Sequence, residues 1–221
     1  MNKKGSVFLG IVVGLLVLAA ITTLAVGLLF SGNLFYRLEI NALEIENNSG
    51  LSREIILNNY DAVIRFLSPF SVAEFSMPDL PASAAGISHF EDVKIILNGL
   101  YITGLICLLI LVLIFSYVKA GRTPKTLITA SVSVITVPLA AFCVMAIDFN
   151  SFFTFFHKVF FSGDTWIFDI YTDPVITILP EAYFMHCALI IAAFWVIGSA
   201  ALFFIGKKLS VSAKNIHSQE V

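Results

Sequence analysis

The sequence predicts an all-α integral membrane protein. It is read as one membrane domain over residues 1–221, with four transmembrane helices and two extracytoplasmic loop regions containing amphipathic, interfacial helices. Three observations predict this. The chain is 58% hydrophobic and only 13% charged, with a mean hydropathy of +0.93, far more apolar than a soluble domain. Four apolar runs, at about 7–30, 95–118, 127–147 and 183–205, each reach the roughly 20 residues that cross a hydrocarbon core as a helix. Charge is also sorted by segment. The two termini and the short loop between the second and third runs hold Lys3, Lys4, Lys119, Arg122, Lys125, Lys207, Lys208 and Lys214, against Glu220 alone. The long loops, about 31–94 and 148–182, hold the other five basic residues and the other 14 of the 15 acids. By the positive-inside rule the termini are cytoplasmic and the long loops face outward.

The first run follows Lys3 and Lys4 but is longer than the apolar part of a secretory signal, and Ala19-Ala20 lies inside it. It reads as an uncleaved signal-anchor helix. In the first outer loop, Leu34 to Ile45 partly alternates and reads as a short strand or extended arm. Asn47-Asn48-Ser49-Gly50 is turn chemistry. Ser52 then caps a helix in which Ile55, Ile56, Tyr60, Val63, Ile64 and Leu67 repeat at helical spacing, until Pro69 ends it. That pattern predicts an amphipathic helix on the outer membrane surface, walling an acyl pocket. Pro78 and Pro81 bracket an irregular stretch, and Ser88 to Lys94 runs directly into the second span.

In the second outer loop, Phe149, Phe152, Phe153, Phe156 and Phe160 form a helical stripe beside His157, and Ser162-Gly163-Asp164 breaks the helix. Aromatics at this density suit a membrane–water boundary, which explains them without a lipid site. Cys107, Cys143 and Cys187 all fall within predicted spans, and none forms a Cys-x-x-Cys pair. A disulfide oxidase is therefore excluded, and the cysteines read as small packing residues. No basic tract points to nucleic acid. Apart from edge residues, the spans lack internal Asp, Glu, Lys or Arg, which argues against ion-coupled transport. Neither a His-Glu-x-x-His motif nor a Gly-x-Ser-x-Gly elbow occurs.

Four histidines remain. His217 lies in the cytoplasmic tail, and His186 reads as a helix-to-helix hydrogen-bonding residue within the fourth span. His89 and His157 sit just outside the membrane, one in each outer loop, where they could converge. Asp92, three residues after His89, is a possible orienting acid. Asp164, Asp169 and Asp173 are the corresponding candidates for His157. An imidazole held by a carboxylate is a usable general base near neutral pH. From spacing alone, catalytic and plain interfacial roles both stay open, as does a metal site with ligands from separate loops.

These residues also carry a resemblance. The run Asn58-Asn59-Tyr60 with its amphipathic helix, His89-Phe90-Glu91-Asp92-Val93-Lys94, Phe156-His157-Lys158-Val159-Phe160-Phe161, Trp166 to Asp173 and Leu179-Pro180-Glu181 together resemble the bacterial lipoprotein intramolecular transacylase family, Lit. The resemblance covers nearly the whole chain and rests most on the two histidine motifs. It implies an acyltransferase whose substrates are diacylated membrane lipoproteins in the bacterial cell membrane. The sn-2 acyl chain of the diacylglyceryl-cysteine moves to the cysteine α-amino group, giving the lyso-form lipoprotein. His89 and His157 are the implied catalytic residues, facing the outer leaflet. Tyr60, Asp92, Lys94, Asp164, Trp166, Asp169 and Asp173 are read chemically as supporting residues. Membrane lipid is an expected partner, nucleic acid is not, and no cofactor or metal is inferred. The rival readings are a non-enzymatic four-span envelope sensor or assembly protein and a metal-dependent membrane hydrolase.

Overall fold

The computed structural model describes residues 3–117 and 124–219, and the side chains at 3, 117, 137, 140, 141, 144 and 213–219 are not part of that description. Lys119, Arg122 and Glu220, which contribute to the expected charge asymmetry, lie outside the described residues, as do the side chains of Lys3, Lys214 and His217. The described elements are α1 (Lys3–Leu29), α2 (Leu34–Ala42), α3 (Ile45–Ser49), α4 (Arg53–Leu67), α5 (Ala84–Tyr117), α6 (Pro124–Ile147), α7 (Phe149–Phe160), α8 (Val175–Ile178) and α9 (Glu181–Gln219). Among the described residues there is no strand.

Among the described residues, three helices are long and apolar enough to cross a membrane: Lys4–Leu29, Ala84–Ser116 and Glu181–Ser212. Helix α6 covers the remaining apolar run. At about 1.5 Å per residue, the 33 residues of the α5 segment extend about 50 Å, well beyond a core of about 30 Å. Its apolar run starts at Ile95, so the first turns of α5, with His89, Glu91, Asp92 and Lys94, project beyond the spanning part.

The chain divides into two compact units. One comprises Met1–Ala25, Ile102–Cys143 and Ile190–Val221. Its helices pack through small residues, which let backbones approach where no hydrophobic force drives them together. A methyl group on Gly10 would strike Thr129, and one on Gly14 would strike Ser133. Val13, Leu111 and Ala130 form its core. Interhelical hydrogen bonds join Ser6 to Thr126 at 3.3 Å, the Trp195 indole N–H to Thr22 at 2.9 Å and the Ser199 hydroxyl to the Ser131 carbonyl at 2.8 Å.

The other unit comprises Val26–Tyr101 and Val144–Leu189. Residues 34–42 form a helix rather than the expected strand or extended arm. Tyr36, Glu39 and Ile40 are buried while Leu34 and Leu38 are exposed. Burial at i, i+3 and i+4 is a helical face, and so short an apolar run is ambiguous by pattern alone. In α4 the Ser52 hydroxyl accepts the Ile55 N–H at 3.4 Å, as a cap should, and the helix stops before Ser68-Pro69. Its apolar stripe, however, turns into protein. Ile56, Tyr60 and Val63 are almost fully buried, α4 packs on α8, and Tyr60 stacks on Tyr36 with ring centres 3.7 Å apart. The Tyr60 and Tyr183 hydroxyls meet at 3.0 Å, and the Tyr36 hydroxyl donates to the Ile178 carbonyl. His186 bonds the buried Glu39 carboxylate at 2.6 Å, tying α9 to α2. Helix α7, by contrast, leaves an apolar stripe uncovered, with Phe155, Phe156, Val159 and Phe160 exposed.

Candidate active site

His89 lies in the second turn of α5 and His157 in the last turn of α7. Both are more than nine-tenths buried. Local signals bound the helix that carries His157. Asp148 caps α7 by accepting the Ser151 N–H at 3.1 Å, and Gly163, at φ +76°, turns the chain after the helix. The two imidazole centres are 5.8 Å apart with planes inclined by 31°. Phe161 packs against both, at 4.6 Å from His89 and 5.3 Å from His157. Phe168 closes on His89 at 5.4 Å, and Phe153 and Trp166 on His157 at 4.1 and 4.9 Å.

The two rings differ in their hydrogen bonding. His157 Nδ1 lies 2.7 Å from the Phe153 carbonyl oxygen. A carbonyl only accepts, so the ring proton sits on Nδ1 and the lone pair on Nε2. His89 Nδ1 is buried with no hydrogen-bond partner. Burial, reinforced by neighbouring His157, pushes the His89 imidazole down to about 4. Burial also lowers His157, partly offset by its bond to the Phe153 carbonyl. Both rings are therefore neutral near pH 7, and a charge on one opposes a charge on the other.

The supporting residues separate into those at the pair and those elsewhere. Trp166 packs on His157, its indole N–H donating to the Gly163 carbonyl at 3.2 Å. Asp92 does not orient His89, whose Nδ1 is unpartnered; the ring is drawn in among Phe161 and Phe168 while Asp92 stays half-buried. No aspartate orients His157 through Nδ1, because the Phe153 carbonyl already takes that proton. Asp164 is exposed, and Asp169 caps its own turn by accepting the Tyr171 N–H at 2.8 Å. Asp173 is buried and accepts the Ser83 N–H and the Thr172 hydroxyl, each at 2.8 Å. Lys94 donates to the Ala73 carbonyl at 3.2 Å and lies 4.0 Å over the Phe66 ring. Tyr60 belongs to the tyrosine cluster described above.

Sequence reasoning passed over two contributions. Ser83 accepts the Gly86 N–H at 3.0 Å, and a methyl group on Gly86 would collide with the Asp173 carboxylate. Asp173 thus fixes the first turn of α5, one turn before His89. Thr165, beside Trp166, buries a hydroxyl with no partner. A lone threonine in a loop carries no pattern that would have marked it. Among the described residues, no three His, Cys, Asp or Glu side chains gather to hold a metal ion.

Comparison with known proteins places the chain in a family. The family described as lipoprotein intramolecular transacylase Lit matches residues 10–184. The in meso structure of the membrane-integral lipoprotein intramolecular transacylase Lit from Bacillus cereus is 32% identical and has a TM-score of 0.88, covering 97% of this chain and 100% of that one. Two further structures of that protein carry a histidine replaced by arginine or by alanine. Each is 32% identical with a TM-score of 0.84; the matches cover 97% of this chain and 95% of that one, and 96% of both, respectively. Comparison with curated proteins returns no match.

Proposed function

This chain belongs to the lipoprotein intramolecular transacylase family, and from that premise we propose that His89 and His157 carry its acyl transfer. The chain is a membrane-integral acyltransferase that moves the sn-2 acyl chain of a diacylglyceryl-cysteine to the α-amino group of the same cysteine. The observation that carries the site assignment is the pair of buried imidazoles, 5.8 Å apart between aromatic walls.

The reaction forms an amide C–N bond, breaks the ester C–O bond and moves one proton from the amine to the glycerol oxygen. An α-amino group has a reference value of about 7.7–8.0, so a modest base suffices. His157 Nε2 bears the free lone pair and takes the amine proton as nitrogen attacks the ester carbonyl. The charged His157 then lies beside a buried neighbour, which favours passing the proton on to the departing oxygen. His89, held neutral, presents its N–H to the carbonyl oxygen as negative charge develops there. Amine and ester belong to one substrate, so holding them in register supplies much of the acceleration.

In this reading α6 is the fourth span of a single membrane domain, both termini are cytoplasmic, and the histidine pair faces the outer leaflet. The charge asymmetry and the 24-residue length of α6 support it. The exposed aromatic stripe of α7 lies in the lipid interface, beside the acyl chains of the substrate. Mass spectrometry of lipoprotein N-termini, from cells with and without this chain, tests the function. Lyso-form N-termini should depend on the chain, and their equal abundance in both would refute it.

A further inference from the structure

Between α4 and α5 lies a segment that is strand-like but unpaired. From Ser71 to Pro78, exposed positions alternate with half-buried ones. Val72, Glu74, Ser76 and Pro78 point outward; Ser71, Ala73, Phe75 and Met77 are half-buried. A period of two is the signature of extended backbone. Phe75 anchors the inner face, stacked on Phe90 at 4.6 Å and edge-on to Phe66 at 5.2 Å. Lys94 holds the Ala73 carbonyl from α5, and the Ala73 N–H bonds the Ser71 hydroxyl at 3.2 Å. Within the described residues, the backbone groups of Val72, Glu74, Phe75 and Ser76 have no hydrogen-bond partner. Beside the segment runs a cleft of about 460 Å³, with Asn58, Asp61, Ala62 and Arg65 of α4 on one side and Glu74 and Ser76 on the other.

We infer that this cleft binds the polypeptide that follows the lipidated cysteine of the substrate, as an extended strand added along residues 71–78. The inference rests on the transacylase reading above. An open strand edge is a template for a second extended chain, and main-chain pairing is indifferent to the partner's side chains. That suits a substrate class defined by its lipidated N-terminus. The cleft is also linked to the histidine pair. Phe75 on the segment stacks on Phe90, the residue after His89. The segment thus packs directly on the helical turn that carries His89. The lining places Asp61 and Glu74 beside Arg65, which does not favour an anionic lipid headgroup.

The test uses the purified full chain and three synthetic diacylglyceryl-cysteine substrates. One carries a peptide of about ten residues, long enough in extended form to run past the segment. The second ends as the cysteine amide. The third is the long peptide with N-methylated amides after the cysteine. Loss of one or two main-chain hydrogen bonds should raise KM about tenfold for the second and third substrates, with kcat within about twofold. Filling the cleft with Ala62→Trp should bring the long and short KM values together. Equal KM values for all three substrates with the native chain would overturn the inference while leaving the transacylase reading intact. So would an Ala62→Trp chain that keeps the native ratio, or one whose KM rises equally for long and short, which would assign the cleft to the lipid. Failure to convert any of the three would refute the transacylase reading and the inference with it.

Discussion

His157 Nδ1 has a carbonyl at 2.7 Å, while His89 Nδ1 is buried with no partner. The first ring is locked in one tautomer, and no such bond fixes the second. Each alanine variant, His89→Ala or His157→Ala, should lower lyso-form conversion by about 10²–10⁴-fold at matched expression. The double variant should be little worse than the worse single one, since groups acting as a unit are not additive. Near-normal conversion by both single variants would remove the site from this pair. The electrostatics make a separate prediction. His89 titrates at about 4 when folded, against 6.5 for an unperturbed imidazole. Its contribution to stability is complete above about 6.5 and declines as the pH falls toward about 4, because the unfolded chain binds a proton that the buried ring refuses. Nuclear magnetic resonance of labelled histidine should show the His89 midpoint near 4. His89→Phe should flatten the fall in melting temperature across that window. A midpoint at or above 6.5 would contradict the buried neutral ring.

The loop that follows α7 meets the start of α5, and Asp173 is the junction. Its carboxylate takes the Ser83 N–H at the start of α5, while the loop that bears it brings Trp166 and Phe168 onto the two imidazoles. Asp173→Ala should cost about 1–3 kcal/mol of stability by leaving the part-buried Ser83 N–H unsatisfied. It should also lower kcat for conversion, and Asp173→Asn, which retains an acceptor oxygen, should recover much of both. If Asp173→Ala lowers the melting temperature with kcat unchanged, the residue is structural only. Helices α4 and α7 differ in which way their apolar stripes face. Ile56 is fully buried, so Ile56→Asp should destabilise the fold by about 3 kcal/mol or more. Val159 is exposed, and Val159→Ser should stay within about 0.5 kcal/mol in detergent. Thermal unfolding of the two variants side by side checks the contrast.

Across the whole molecule, the proposed orientation rests on the sorted charges. In intact cells, membrane-impermeant thiol labelling should reach single cysteines placed at Asn48 and at Gly163, and should miss one placed at Arg122. Labelling at Arg122 from outside would invert the topology and move the histidine pair to the cytoplasmic side.

Membrane integration, the long helices and the two histidine motifs were legible in the chain itself. Span length and apolarity are local properties, fixed by the bilayer as solvent and independent of neighbouring helices. Capping was legible for the same reason: Ser52 acts on an N–H three residues away. Other features depended on contacts distant in sequence. The amphipathic pattern of α4 is the same whether its stripe meets lipid or protein, and only packing against Tyr36 and α8 decided for protein. Helical spacing placed Asp92 near His89, but the aromatic walls set the ring's direction and left its Nδ1 without a partner. Asp173 was a candidate for His157 by proximity in sequence, yet its carboxylate bonds Ser83, 90 residues away. Sequence spacing constrains only what lies within a turn or two of a helix. Which carboxylate meets which N–H, and which face of a helix is covered, is settled when non-local segments pack.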